Sequence, residues 1–448
     1  MSAPAEISGG LWARASALAA QTPESRNRYV DFLRAASITV VVFGHWLMAA
    51  PTVGGDGFSL NDMLRDAPWT QGLTWIFQVM PLFFIVGGYA NAVSWDAAAR
   101  RPGFDLAGWY GGRLRRLISP VVPLVLVWAL FGLAGHLLGI DAELVGLGSK
   151  VAFTPTWFLA VYVMVIIFAP GTYWLWRRFG VASFWGLAIG AICVDALAFG
   201  TDTPGLRWAN YAFVWLSVHQ LGYLWRDGRL AGPRALWWAA GGLLFLVFLV
   251  KVAGYPVSML TVPGDEMSNS RPPSIALLAL GIFHAGLALS AEGPARRWLT
   301  RATPWTATVL VNANIMTLYL WHATAMVLLV GLAYQLGGIG LHYVPASGAW
   351  WASRPVWMVV LLLGLAFFMA LFGRFERSTP KGPLTAPIWQ YVLGAAAACT
   401  GLANLVLGGI AAEGFPGVRI GAVILALAGA VLLRGHAIVP LRRGAASA

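Results

Sequence analysis

Twelve stretches of about 20 mostly apolar residues follow one another along this chain. They run near 30–50, 69–93, 117–139, 156–176, 181–200, 208–225, 235–252, 272–290, 305–333, 354–373, 388–410 and 417–433. The gaps between them are too short for a soluble domain. A water-facing domain carries about 25% charged residues, whereas this chain carries 11%, with 58% hydrophobic residues. Such a chain cannot cover itself with polar groups. The pattern predicts an all-α polytopic bundle of about 12 spans in a lipid bilayer, and a multi-pass protein of the cell membrane.

The net charge is +12. Lys and Arg fall in short clusters between the apolar runs instead of forming one solvated basic face, so no nucleic-acid partner is expected. With the N-terminus inside and the spans alternating, 23 of the 30 Lys and Arg residues lie on the inner side. The inner loops include Arg100, Arg101, Arg113, Arg115 and Arg116, then Arg374, Arg377 and Lys381, and finally Arg434, Arg442 and Arg443. The outer side keeps Arg65, Lys150, Arg207, Lys251, Arg271, Arg354 and Arg419. This asymmetry predicts that both termini are cytoplasmic. Residues 1–28 read as a cytoplasmic tail with a short interfacial helix, and 376–448 as two additional spans and a short basic tail. Cys193 and Cys399 lie in apolar runs and form neither a disulfide framework nor a CxxC pair. No metal is expected.

The first span, "DFLRAASITVVVFGHW" over residues 31–46, carries ionisable groups that hydrocarbon disfavours by roughly 2.5–3.5 kcal/mol each. Arg34 and His45 are eleven residues apart, three helical turns plus about 20°, so they share a face with a rise of about 16 Å. Arg34 has two readings: it snorkels to the inner headgroups, or it serves a site. His45 lies about two-thirds of the way across, where an ionisable group is either a hydrogen-bonded packing residue or a functional one. Asp31, three residues before Arg34, can pair with it or cap the helix.

"RYVDFLRAASITVVVFGHW" resembles the opening of the acyltransferase-3 family of integral membrane acyltransferases, whose first helix carries an Arg and a His separated by ten residues. Arg34 and His45 meet that pattern. "MPLFFIVGGYANA" resembles the family's Phe-Phe-x-x-Ser-Gly-Phe segment: Phe83, Phe84 and Gly88 match, Tyr89 replaces Phe, and Gly87 stands where Ser is usual. Arg113 and Arg116 in "GGRLRRLISP" match an Arg-x-x-Arg followed by Pro120. "TWFLAVY" from Thr156 and "LYLWHA" from Leu318 fall where the family has Trp-Phe-Leu and Tyr-x-x-His patterns. The resemblance covers roughly residues 29–375, a ten-helix core, and leaves the last two spans without a role.

The resemblance implies an acyl-CoA donor, acetyl-CoA in the simplest case, used as a substrate with no permanently bound cofactor. It also implies a hydroxyl acceptor on a glycan, glycolipid or other surface-directed molecule. Arg113 and Arg116, three residues apart, point the same way on a helix, and two guanidinium forks can hold a pyrophosphate. Arg115 points elsewhere and reads as an ordinary inner-side charge. The Arg34–His45 rise is of the order of a pantetheine arm, so phosphates at the inner end would bring the thioester to His45. His45 is then a general base for the acceptor hydroxyl or is itself transiently acylated. Asp31, Tyr319, His322 and Asn314 are candidates for lining the site, with His322 matching the family's late His. Asn312 and Asn314 also have a structural reading, tying helices together, and so has Asp195. The competing class is a twelve-helix secondary transporter or exporter without acyl-transfer chemistry, which an internal repeat would favour; the sequence shows no such repeat.

Overall fold

The computed structural model describes residues 10–55, 57–377 and 386–435. Lys381, His436, Arg442 and Arg443 lie outside the described residues, as does most of the C-terminal basic tail. The chain opens with α1 (Leu11–Ala20) and α2 (Arg28–Met48), followed by the strands β1 (Ala49–Gly54) and β2 (Gly57–Asp62). Short helical turns over Met63–Phe77 lead to α3 (Met80–Ala99), α4 (Leu106–Ile118), α5 (Val121–Leu137) and α6 (Ala142–Phe153). Next come α7 (Thr156–Phe179), α8 (Val181–Gly200), α9 (Asn210–Arg226), α10 (Pro233–Lys251), α11 (Ile275–Ser290) and α12 (Glu292–Trp298). The series ends with α13 (Ala302–Asn312), α14 (Ile315–Gln335), α15 (Gly348–Arg377), α16 (Ile388–Gly408) and α17 (Ile420–Leu432).

Among the described residues, nine helical segments are long and apolar enough to cross a membrane, or ten if α11 and α12, bent by 52°, form one span. Ten of the twelve expected stretches coincide with these. The other two are helical but shorter: 208–225 is α9, 17 residues long, and 417–433 is α17, 13 residues long. Two expected single helices are broken. The stretch 69–93 turns at Gln78 and Val79 before α3, whose second residue, Pro81, lacks the N–H that would continue a helix from upstream. The stretch 305–333 splits at Ala313 and Asn314 into α13 and α14. The all-α expectation also missed the hairpin of β1 and β2, in which Gly54 pairs with Gly57, whose φ of +93° suits only glycine.

The chain forms two compact units. The first comprises Met1–Ser94, Phe168–Tyr319 and Leu328–Gly364, and the second Trp95–Ile167, Leu320–Val327 and Leu365–Ala448. In the first unit α2 packs on α12 and α13, α1 packs on α13, and α10 packs on α11. The expected tail is therefore partly docked: Ala15 and Ala19 are buried, and the Trp305 indole donates to the Ala19 carbonyl (3.3 Å) and the Thr22 hydroxyl (3.1 Å). Helices α3 and α9 cross with backbones touching. A Cβ at Gly88 would lie 1.9 Å from the His219 carbonyl oxygen, and one at Gly222 2.1 Å from that of Ile85. Beside the crossing, Phe84 stacks on Trp215 at 4.3 Å.

Asp195 resolves in favour of its structural reading. Its Oδ1 accepts from Asn210 (2.9 Å), and its Oδ2 accepts from the Tyr255 hydroxyl and the Ile275 amide (3.0 Å each). Arg207 stands 3.6 Å away and also donates to the Ser268 carbonyl. One buried carboxylate thus joins α8, α9, α11 and the 252–274 loop. That loop is stapled from within by Asn269, fully buried, which donates to the carbonyls of Pro256 and Ser258. Burial, reinforced by Asp195, pushes the Tyr255 phenol well above its ordinary range.

In the second unit the α16–α17 pair packs against α4, α5 and α6. Small residues make the pair close: a Cβ at Gly401 would meet the Ala426 amide at 2.4 Å, and one at Gly429 the Ala398 amide at 2.3 Å. The Ala- and Gly-rich composition of these stretches is the packing surface itself. Trp321 stacks on Phe372, centroids 3.9 Å apart, and Trp128 donates to Thr324.

Candidate active site

Helix α2 starts at Asn27, whose side chain accepts from the Tyr29 amide at 3.1 Å. Asn27, not Asp31, is therefore the cap. The Asn27 amide also donates to Glu292 (3.3 Å) and to the Tyr89 hydroxyl (3.4 Å). The family's Phe at position 89 could not accept that bond, which gives the Tyr replacement a local role. Trp225 donates to the other Glu292 oxygen at 2.8 Å, and the Tyr29 hydroxyl to the Ala288 carbonyl at 2.7 Å.

Asp31 is buried at 5% exposure, and its main partner is one the sequence reading missed. Arg26 donates to it through Nε (2.5 Å) and Nη2 (3.0 Å), a two-pronged pair that holds the Arg26 guanidinium above its ordinary range. The anticipated Asp31–Arg34 pair is present but longer, 3.7 Å. Arg26 is five residues upstream, beyond the helix start, so helical spacing could not flag it.

Helix α2 runs unbroken through both Arg34 and His45. Arg34, Val41 and His45 fall within about 40° of one another on its surface, and all three are half-buried. Ile38, between Arg34 and His45 in height and within about 40° of both, is buried, so this face is half-buried at Arg34, Val41 and His45 and closed at Ile38. His45 sits one turn from the C-terminal end, where its carbonyl accepts from the Ala49 amide.

Asn312, the last residue of α13, donates to the Asp31 carbonyl (2.9 Å) and to the Thr308 carbonyl (2.9 Å), which is the helix-tying reading. Asn314 is buried and donates to the Leu310 carbonyl at 3.1 Å, closing the break between α13 and α14. Tyr319 and His322 lie one turn apart on α14, and both are buried. In the first unit, intramembrane His219 is engaged: it and Asn91 are 3.0 Å apart, both fully enclosed. His284, in the same unit, bonds the Trp75 carbonyl.

In the second unit, Asp105 caps α4 by accepting from Ala107 and Gly108. Arg113 is half-buried, its guanidinium 4.6 Å from the Trp109 ring centroid, and Arg116 is exposed. Arg115 departs from the expectation of an ordinary loop charge. It is 8% exposed and donates to the Arg434 carbonyl just beyond α17 at 3.4 Å.

The comparisons with curated proteins and with solved structures returned no match. The family comparison did: a sequence model of the acyltransferase-3 family, described as an acyltransferase domain, matches residues 27–374. The match opens at Asn27, the cap of the helix that carries Arg34 and His45, and ends at Arg374 near the close of α15. The multi-pass helical fold, the Arg34–His45 stripe and a match over most of the chain converge, and this membrane protein belongs to the acyltransferase-3 family and is an acyltransferase.

Proposed function

We propose that this acyltransferase moves an acyl group, acetyl in the simplest case, from cytoplasmic acyl-CoA to a hydroxyl of a glycan, glycolipid or other surface-directed acceptor. It works in the cell membrane with both termini on the cytoplasmic side, and with α9 and α17 counted it has twelve spans. The observation that carries this reading is the unbroken α2 helix, which keeps Arg34 and His45, both half-buried, on one face about 16 Å apart in rise.

In the proposed reaction the acceptor O–H attacks the thioester carbonyl. His45, as the neutral imidazole, takes the hydroxyl proton as the C–O bond forms. The tetrahedral intermediate then expels the thiolate as the C–S bond breaks, and the proton passes to sulfur, giving the ester and free CoA thiol. Arg34, oriented by Asp31, holds the donor on the same helix face. Arg113 and Arg116 bind its phosphates, with Trp109 steadying Arg113. Tyr319, His322 and Asn314 are secondary candidates for lining the site. The Arg26–Asp31 pair supports the Arg34 assignment, because one carboxylate shared by Arg26 and Arg34 leaves the cluster a net positive charge for an anionic ligand.

Purified protein incubated with radiolabelled acetyl-CoA and a panel of hydroxyl-bearing glycans and glycolipids tests the proposal. Label transfer with release of CoA thiol is expected. Acceptor-dependent transport of intact material without thiol release would instead favour the exporter reading.

A further inference from the structure

We infer that the C-terminal helix pair α16–α17 is a brace that sets the rotation of α4 and so aims Arg113 and Arg116, making Arg115 and Tyr391 positioning residues for the donor. The inference deepens the donor-binding role proposed above and rests on it.

Helix α4 presents two opposite faces. Counting 100° per residue from Gly111, Arg115 lies at about 40° and Ile118 at about 340°, whereas Arg113 and Arg116 lie at about 200° and 140°. The two groups are centred about 160° apart. The first group is the face the pair covers. Gly111 is buried against Tyr391 of α16, and a Cβ there would stand 2.5 Å from the ring. Arg115 reaches past the end of α17 to the Arg434 carbonyl, where the unpaired carbonyls of a helix terminus attract a cation. Ile118 lines one small apolar crevice together with Ala398 and Leu402 of α16 and Ala426 of α17. The contacts fall at i, i+4 and i+7, one continuous stripe.

The pair is also held from outside α4. The Ile410 amide, between α16 and α17, donates to the Ser149 hydroxyl of α6 at 2.8 Å. Gly417 packs on His136 of α5, and Val418 on Gly132 of the same helix. The connection between the two helices is therefore anchored to α5 and α6 while their far ends grip α4. Helix α4 runs into α5 through Ser119 and Pro120, and Tyr110 donates to the Ile167 carbonyl of α7 at 2.8 Å, so the pair adds its hold on the Gly111–Arg115–Ile118 face to these. A rotation of one residue, about 100°, would replace the Arg113–Arg116 face with another.

The test measures KM for acetyl-CoA and kcat in purified full-length variants. Arg115→Met removes the bond to Arg434 while keeping side-chain length, and Gly111→Leu drives a wedge against Tyr391. Each should raise KM for acetyl-CoA roughly tenfold, about 1.4 kcal/mol of donor binding, with kcat within about twofold of wild type. Arg115→Lys should recover part of the loss, and Tyr391→Ala added to Gly111→Leu should bring KM back down. A fall in kcat or in folded protein at constant KM would mean that the contacts serve stability alone, and the brace would be rejected. If Gly111→Leu does not fold, the Arg115 pair decides by the same criterion. The joint variant Arg113→Ala/Arg116→Ala separates the two claims. If it leaves KM unchanged, the donor assignment and the brace fall together; if it raises KM while Arg115→Met does not, only the brace falls.

Discussion

Asn312 donates from its side-chain amide to the backbone carbonyl of Asp31 at 2.9 Å, joining the end of α13 to the first turns of α2. The same amide bonds the Thr308 carbonyl, so one side chain both closes its own helix and holds the neighbouring one. The turn it holds carries Asp31 and precedes Arg34 by less than one helical repeat. Asn312→Ala removes both bonds, and a net loss of about 1 kcal/mol is expected. Thermal melting in detergent should show a fall of about 1 °C for a chain of this length, and donor affinity should weaken with it. A melting temperature equal to that of wild type would assign the contact no net value.

The α3–α9 crossing gives a sharper contrast. The Cβ of Gly88→Ala would overlap a backbone oxygen of His219, which cannot rotate away as a side chain could. Separating the helices would also stretch the 3.0 Å Asn91–His219 contact nearby. Overpacking of this kind costs about 1–3 kcal/mol or more, so Gly88→Ala should give low yield and a depressed melting point. Gly241→Ala, where an added Cβ meets nothing within 4 Å, should match or exceed wild type, since alanine favours helix by about 1 kcal/mol over glycine. Equal behaviour of the two variants in a size-exclusion and melting comparison would contradict the close crossing.

Asp62 carries a pH signature. It ends β2 and caps the following turn by accepting from the Leu64 amide at 2.8 Å. Burial, with a smaller push from Asp66, raises its carboxyl above the ordinary range, against the opposing effects of the Leu64 bond and of Arg65. A carboxyl raised on folding binds more protons in the folded state than in the unfolded one. Its contribution to stability therefore declines as pH rises from the ordinary carboxylate range through the raised value. Asp62→Asn keeps an accepting oxygen for the cap and removes the charge. Above that window it should be at least as stable as wild type. Melting curves should converge at lower pH, and a variant less stable at neutral pH would refute the assignment.

The parts of this molecule that were legible in the sequence are those governed by local spacing. Apolar runs located the helices, and the eleven-residue interval located the shared face of Arg34 and His45, because both depend only on helical geometry. The i,i+3 spacing likewise separated Arg113 and Arg116 from Arg115. What escaped depended on residues far apart in the chain. Asp195 gathers Arg207, Asn210, Tyr255 and the Ile275 amide, up to 80 positions away, and nothing local marks that meeting. Arg115 looked like a loop charge because its partner, the Arg434 carbonyl, lies 319 positions downstream. The break at Asn312–Asn314 had a readable signal: two polar, turn-favouring residues in an otherwise aliphatic run. Continuous hydropathy across the break outweighed it. The hairpin of β1 and β2 had a signal too, in the glycines around its turn, but its six-residue strands are too short to stand out beside membrane helices.

His45 offers the most direct test of the chemistry. Its imidazole lies on the same face of α2 as Arg34, and its loss removes no charge pair from the Asp31 network at the other end of the helix. His45→Ala should therefore leave a folded, membrane-inserted protein that still binds acetyl-CoA. Acyl transfer should fall by about 10²–10⁴, the usual loss when a general base is removed. Arg34→Ala should behave differently, weakening donor binding, which isothermal titration with a non-hydrolysable acetyl-CoA analogue can separate from the chemical step. If His45→Ala turns over at a rate near wild type while binding donor normally, His45 packs the helix and does no proton transfer. The base must then be sought on α14, where buried His322 lies one turn from Tyr319, and His322→Ala in the same assay would decide that alternative.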